Sequence, residues 1–325
     1  MNQSLVTEAG NRPGWIRKVD MLLLLTLIMY LGYSLTISSI VVATGGDVPI
    51  LGNTMFQLVS QQIILLAPSV VFFWKHKVPV LEYLHIKPLR IPTVLLVIVF
   101  TYVSYPIISL CNYISLFFTK NVIDNTMEEL LGQYPTVVCV IAVAFVPCVV
   151  EELIFRGVLY RTYKQCGVGK AILLTAFLFG LFHMNLNQMS YAVVMGIVLV
   201  LLNEATGSMI SSMLMHFFIN ATSVVSAAAY YKQYGTLQSE SQNGDVSVLQ
   251  QLIVLSIGSL IFMALLLRAM TKLEKRKWVM TILKQRKEKV KELQYITANK
   301  EKIFSGSLLV VIVICIAMVT ISQLA

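Results

Sequence analysis

The sequence predicts an all-α, polytopic transmembrane helical bundle. Three observations carry this prediction. Of its 325 residues, 57% are hydrophobic and only 13% charged, too apolar for an ordinary soluble domain. Apolar runs of about 20 residues, each enough to cross a bilayer core of roughly 30 Å, recur from end to end. The charges between the runs alternate in sign along the chain. A transmembrane β-barrel is excluded by the lack of short alternating segments.

The runs place spans near 21–43, 55–74, 92–118, 136–158, 171–187, 190–203, 208–230, 248–268 and 303–323, so eight to nine in all. The first follows Arg12, Arg17 and Lys18. It is too long for a secretory signal's apolar region and reads as an uncleaved signal anchor. The sixth is short, which suggests a tilted or re-entrant helix. Lys75, Lys77, Lys87 and Arg90 follow the second span, and Arg161, Lys164 and Lys170 follow the fourth. The loops between carry Asp47, then Asp124, Glu128 and Glu129, then Glu240 and Asp245, with Lys120 and Lys232 their only bases. Bases gather on the cytoplasmic side, so the N-terminus is expected in the cytoplasm and the C-terminus outside.

The net charge of +9 is localised. Residues 268–302 hold twelve Lys/Arg and four Glu, a balance of +8. A basic loop beside a membrane span points to anionic lipid as its partner, not to nucleic acid. Within it Trp278, Val279, Ile282, Leu283, Val290 and Leu293 recur at near-helical spacing. An amphipathic helix on the inner membrane face fits this pattern, as does a solvated basic linker helix. Cys111, Cys139, Cys148, Cys166 and Cys315 form no CxxC pair, so neither a disulfide framework nor a thiolate metal site is expected. Cys148 lies near the acidic pair described next, but its apolar surroundings disfavour a thiolate nucleophile.

The fourth span is interrupted by Glu151, Glu152 and Arg156. An ionisable group inside a membrane is costly and marks function by default. Adjacent glutamates point about 100° apart on an α-helix, so they are expected to take different roles. Glu152 and Arg156, at i,i+4, share a face and can pair, which leaves Glu151 to serve as a general base. His183 closes the run Phe179–His183, where it can be catalytic or simply an interface histidine. His216 and Asn220, also at i,i+4, share one face of a later span. They can glue helices together or donate hydrogen bonds to an oxyanion. At 1.5 Å per residue, Glu151 lies roughly 10–15 Å from the cytoplasmic end of its helix, His216 roughly 12 Å and His183 roughly 18 Å, so the three can meet. Serine-hydrolase elbows and HExxH are absent. Two histidines and a carboxylate are nevertheless a catalytic zinc set, so zinc stays open.

Glu151-Glu152-xxx-Arg156, Phe179-xxx-His183 and His216-xxx-Asn220, in this order, resemble the motif set of the CAAX protease and bacteriocin-processing family, the glutamic intramembrane endopeptidases also called Abi proteins. The resemblance covers about 150–220. It implies a four-helix catalytic core within 136–230, flanked by N-terminal helices over 1–135 and C-terminal helices over 231–325. By resemblance, Glu151 activates water with help from His183, His216 and Asn220 form the oxyanion hole, and Glu152, Arg156 and Phe179 support the site. No cofactor is implied. The implied substrate is a membrane-associated peptide or protein: a CAAX-like protein, or a peptide handled in bacteriocin or signalling-peptide processing or self-immunity. The compact loops suggest a bacterial cell membrane. A non-catalytic immunity or helper protein that retains the motifs, and a zinc-dependent version of the same hydrolase, are the alternatives.

The charge alternation generates a test of topology. In intact cells, an impermeant thiol reagent should label a cysteine placed at Gly244 and spare one placed at Lys287. The reverse pattern would invert the orientation.

Overall fold

The computed structural model describes residues 14–119, 121, 123–237, 245–278 and 303–324. Every regular element among them is helical. Eight helices are long and apolar enough to cross a membrane: α1 (Trp15–Ala43), α2 (Thr54–His76), α3 (Ile91–Ser115), α5 (Thr136–Cys166), α7 (Leu186–Thr206), α8 (Met209–Tyr234), α9 (Val246–Leu273) and α10 (Gly306–Leu324). The predicted fold class is therefore the observed one. Two shorter helices complete the site: α4 (Ile123–Gln133) between α3 and α5, and α6 (Val168–Leu181) between α5 and α7. The cysteines among these residues are free.

Two span assignments need correction. The expected span 171–187 is the 14-residue helix α6, which ends at Leu181. Met184 takes a positive φ of 50° and breaks it, and the Asn185 side chain caps α7 by accepting from Gln188 N at 3.0 Å. The sixth span, expected to be short, is the full 21-residue α7. Its added N-terminal turn is polar, and those polar groups are satisfied inside the bundle. Asn187 donates to Asn112 Oδ1 at 3.0 Å and Ser115 Oγ at 2.7 Å, and Ser190 donates to the Cys111 carbonyl at 3.3 Å, all on α3. A non-helical turn at membrane depth is tolerated only when buried in protein in this way. The basic segment divides at the same level of detail: 268–273 belongs to α9, and the amphipathic pattern over 279–302 lies outside the described residues.

Small residues bring α6 and α7 together. A Cβ on Gly196 would stand 2.8 Å from Ala176 Cα, and one on Gly180 would stand 3.0 Å from the Met189 carbonyl oxygen. Lipid tails are as apolar as leucine side chains, so close backbone packing of this kind, not burial from water, holds membrane helices together. The far end of α5 is tied down by polar contacts. Tyr163 donates to Asp20 Oδ1 of α1 at 2.6 Å, Lys164 pairs with Glu204 of α7, and Arg161 Nη2 donates to the Leu84 carbonyl at 3.1 Å.

α5 is not a uniform α-helix. Ile141–Phe145 and Glu152–Tyr160 are wound as π-helix. Pro147 lies between them. It has no N–H for the carbonyl four residues back, that of Val143. Asn220 of α8 supplies the missing donor, its Nδ2 donating to Val143 O at 3.4 Å. Wider π-turns inside helices are rare and cluster at functional sites. Here they set the azimuth of both glutamates.

The α6–α7 contact predicts that Gly196→Ala destabilises the protein by about 1–3 kcal/mol, the usual cost of overpacking a tight interface. Gly258→Ala is the control, because its Cβ would meet nothing within 4 Å. Thermal unfolding of the two variants in the same detergent checks this.

Candidate active site

Glu152 points into the bundle and is fully buried. Its Oε1 lies 2.9 Å from Arg156 Nη1 and 3.0 Å from His216 Nδ1. The i,i+4 ion pair expected from the sequence is thus present, and it is extended by an imidazole from α8. A buried carboxylate is tolerable only when such partners replace its water. Arg156 is buried as well, and its guanidinium carbon sits 4.2 Å from the centre of the Phe179 ring on α6. A desolvated cation over an aromatic face contributes about 2 kcal/mol. Phe179 also meets Phe155, His183 and His216 edge-on, at ring-centre distances of 5.1, 4.9 and 6.0 Å. It is the common wall against which the polar groups of three helices are set.

Glu151 faces the other way. Its side chain retains 16% exposure and lines a cavity of about 350 Å³ together with His183. His183 lies just past the end of α6. Its Nδ1 donates to the Phe179 carbonyl, which can only accept, at 2.8 Å. In the neutral ring this leaves Nε2 as a proton acceptor. His216 Nε2 is 3.8 Å from Glu151 Oε2. That exceeds hydrogen-bond length, yet an oxygen about 2.8 Å from both atoms fits at the apex of the triangle they form.

The expectation that the glutamates point apart holds for exposure but not for every contact, since both lie beside His216. The structure brings together Glu151, Glu152, Arg156, Phe179, His183 and His216. Asn220 lies on the same face of α8 and donates to Val143, a cavity-lining residue, so one of its amide protons already has a structural role. Among the described residues no group of three or more His, Cys, Asp or Glu side chains is arranged to hold a metal ion.

Motif reasoning missed the cavity's opposite wall. Tyr30 of α1, Gln61 and Gln62 of α2 and Met127 of α4 line it, as does Gln188 of α7. The Gln62 Oε1 atom is buried without a hydrogen-bond partner among the described residues. The signal was present: two consecutive carboxamides interrupt an apolar span, as the two glutamates do.

Residues 133–222 match the family model described as Rce1-like, type II CAAX prenyl endopeptidase. This stretch, under a third of the chain, is similar to the Rce1-like CAAX endopeptidase family. Neither the curated proteins nor the solved structures yielded a significant match. The Rce1-like stretch contains all seven residues of the motif set and most of α5 to α8, and it stops short of α1, α2 and α3. Together with the long apolar helices, it makes the chain a multi-pass membrane protein and supports an intramembrane protease of the CAAX type.

The geometry predicts unequal costs for neutralising the two acids. Glu152→Gln should destabilise the fold by about 3–5 kcal/mol, because it strands Arg156 in a desolvated setting. Glu151→Gln, at the cavity surface, should change stability by less than about 1 kcal/mol. Thermal unfolding of both variants beside the parent protein reads the difference.

Proposed function

We propose that this protein is an intramembrane endopeptidase that cleaves a membrane-associated peptide or protein by glutamate-activated water. One observation supports the reading: of two adjacent carboxylates, Glu152 is turned inward and paired through Oε1 with Arg156 and His216, while Glu151 lines a cavity with His183. Glu151 takes a proton from water held between it and the histidines. The hydroxide oxygen adds to the scissile carbonyl carbon, and the carbonyl oxygen becomes an oxyanion. The proton then passes to the amide nitrogen, the C–N bond breaks, and the products are a carboxylate and an amine. His183 Nε2 is proposed to assist Glu151 in passing that proton on.

His216 and Asn220 are proposed as oxyanion donors. For His216 to donate from Nε2 while Nδ1 is held by Glu152, its ring carries both protons. Asn220 has a second amide proton beyond the one given to Val143.

The cavity suits a peptide. Its volume is at the lower end of typical ligand pockets. It is mainly apolar, with carboxamides from α2 and α7 that match the polar backbone of an extended segment. A bacterial cell would offer no prenylated CAAX protein, so a membrane-associated peptide or membrane protein is the proposed substrate. The cell membrane, with the N-terminus in the cytoplasm, is the proposed location.

Purified protein should cleave membrane-associated test peptides, and Glu151→Gln should abolish turnover. Asn220→Ala should lower kcat by roughly 10²–10³, the usual cost of one oxyanion donor, with a smaller change in KM. Exhaustively chelated protein should stay active. Activity lost on chelation and restored by stoichiometric zinc would falsify the glutamic mechanism.

A further inference from the structure

At the opposite end of α5 from Pro147, five helix ends converge. They are the last turns of α5 and α7, the first turn of α8, the chain just past α9, and the loop after α2. They enclose a second, smaller cavity of about 40 Å³, lined by Arg156, Arg161, Lys164 and Arg276, with His85 and Glu204. Arg156 is neutralised by Glu152 on its other side. The remaining lining has three cations and one carboxylate, and that carboxylate, Glu204, is already paired with Lys164. Arg161 gives Nη2 to the Leu84 carbonyl, and its Nε is buried with no hydrogen-bond partner among the described residues. Arg276 makes no ion pair among them, although its guanidinium is folded against Gly207, where a Cβ would stand 2.9 Å from Nε.

The excess charge shows at His85. Burial, then the nearby charges of Arg161, Lys87, Lys164 and Arg276, lower its pKa to about 3, so the imidazole stays neutral and adds no cation of its own. Partly desolvated cations that outnumber their anions favour an anionic ligand. A water needs about 10–15 Å³ by this measure, so the cavity holds roughly three waters, or one oxyanion with its oxygens in their places. The first N–H groups of α8 are already taken by the His85 carbonyl and by Ser208, so the ligand meets side chains, with only the dipole of that helix behind them.

We propose that this pocket binds a phosphate-type oxyanion, held by Arg161 and Arg276 with Lys164 beside it. A lipid headgroup and free phosphate share this chemistry. The position, among helix ends where an apolar bundle meets water, is where interhelical basic pockets take headgroups. The site is separate from the Glu151 cavity and does not depend on the protease reading. Arg156, the partner of Glu152, lines the pocket together with Tyr160 from within the π-helical turn of α5.

The test uses the full-length protein in an uncharged detergent and reads the unfolding midpoint during three titrations. These use dioctanoyl phosphatidic acid, dioctanoylglycerol with the same chains and no phosphate, and inorganic phosphate against chloride at equal ionic strength. Phosphatidic acid should raise the midpoint saturably and dioctanoylglycerol should not. Arg276→Gln, at an exposed position where folding is not at stake, should weaken the apparent affinity about tenfold or more, the loss of one charge-assisted contact. Saturation by inorganic phosphate at the same concentration would assign the site to a free oxyanion, and its failure to act would assign it to a lipid. The proposal is overturned if neither phosphate compound shifts the midpoint, or if Arg276→Gln responds as the parent protein does.

Discussion

The active region is organised around one buried carboxylate. Glu152 has no access to water, and an unpaired ion there would cost several kcal/mol even after relaxation. It persists because α5 supplies Arg156 and α8 supplies His216, both at hydrogen-bonding distance. Arg156 must then lie over Phe179 of α6, which fixes the third helix. Three helices are thus held in register by a charge none of them could keep alone. With Glu152 committed inward, its neighbour points elsewhere and lines the cavity shared with His183.

Backbone chemistry serves the same arrangement. Pro147 removes a donor from α5, π-helical turns form on either side, and Asn220 of α8 donates to the Val143 carbonyl. The residue aligned with the candidate oxyanion hole therefore also anchors the helix that bears both acids. Gly180 and Gly196 let α6 and α7 pack closely on each other, on either side of the turn that carries His183. The polar residues of that turn are held by α3, a helix outside the family match, and the cavity is closed by α1, α2 and α4. The motif residues lie on or beside α5, α6 and α8, while the shape of the cleft is contributed in part by helices that carry no motif.

Much of this could be read from the sequence because membrane insertion punishes polar residues so heavily. Glu151, Glu152, Arg156, His216 and Asn220 stand out against apolar runs, and i,i+4 spacing is enough to pair Glu152 with Arg156. The extent of α6 was not readable: hydropathy continues past Leu181, and only the positive φ at Met184 and the Asn185 cap end the helix. His216 as a partner of Glu152 was also hidden, because a contact between α5 and α8 leaves no periodic trace. The cavity wall was half visible. Gln61 and Gln62 break an apolar span as plainly as the acids do, but nothing local says which volume they face.

Glu152 and His216 form one unit, in which the buried carboxylate holds the imidazole beside Glu151. A double-mutant cycle on single-turnover cleavage tests it most directly, using Glu152→Gln, His216→Gln and the combination in the fraction of each that remains folded. If the two residues form one unit, the double variant should be no slower than the slower single variant, giving a coupling of at least about 1–2 kcal/mol. Additive losses, with the double variant slowed by the product of the two single effects, would contradict the account.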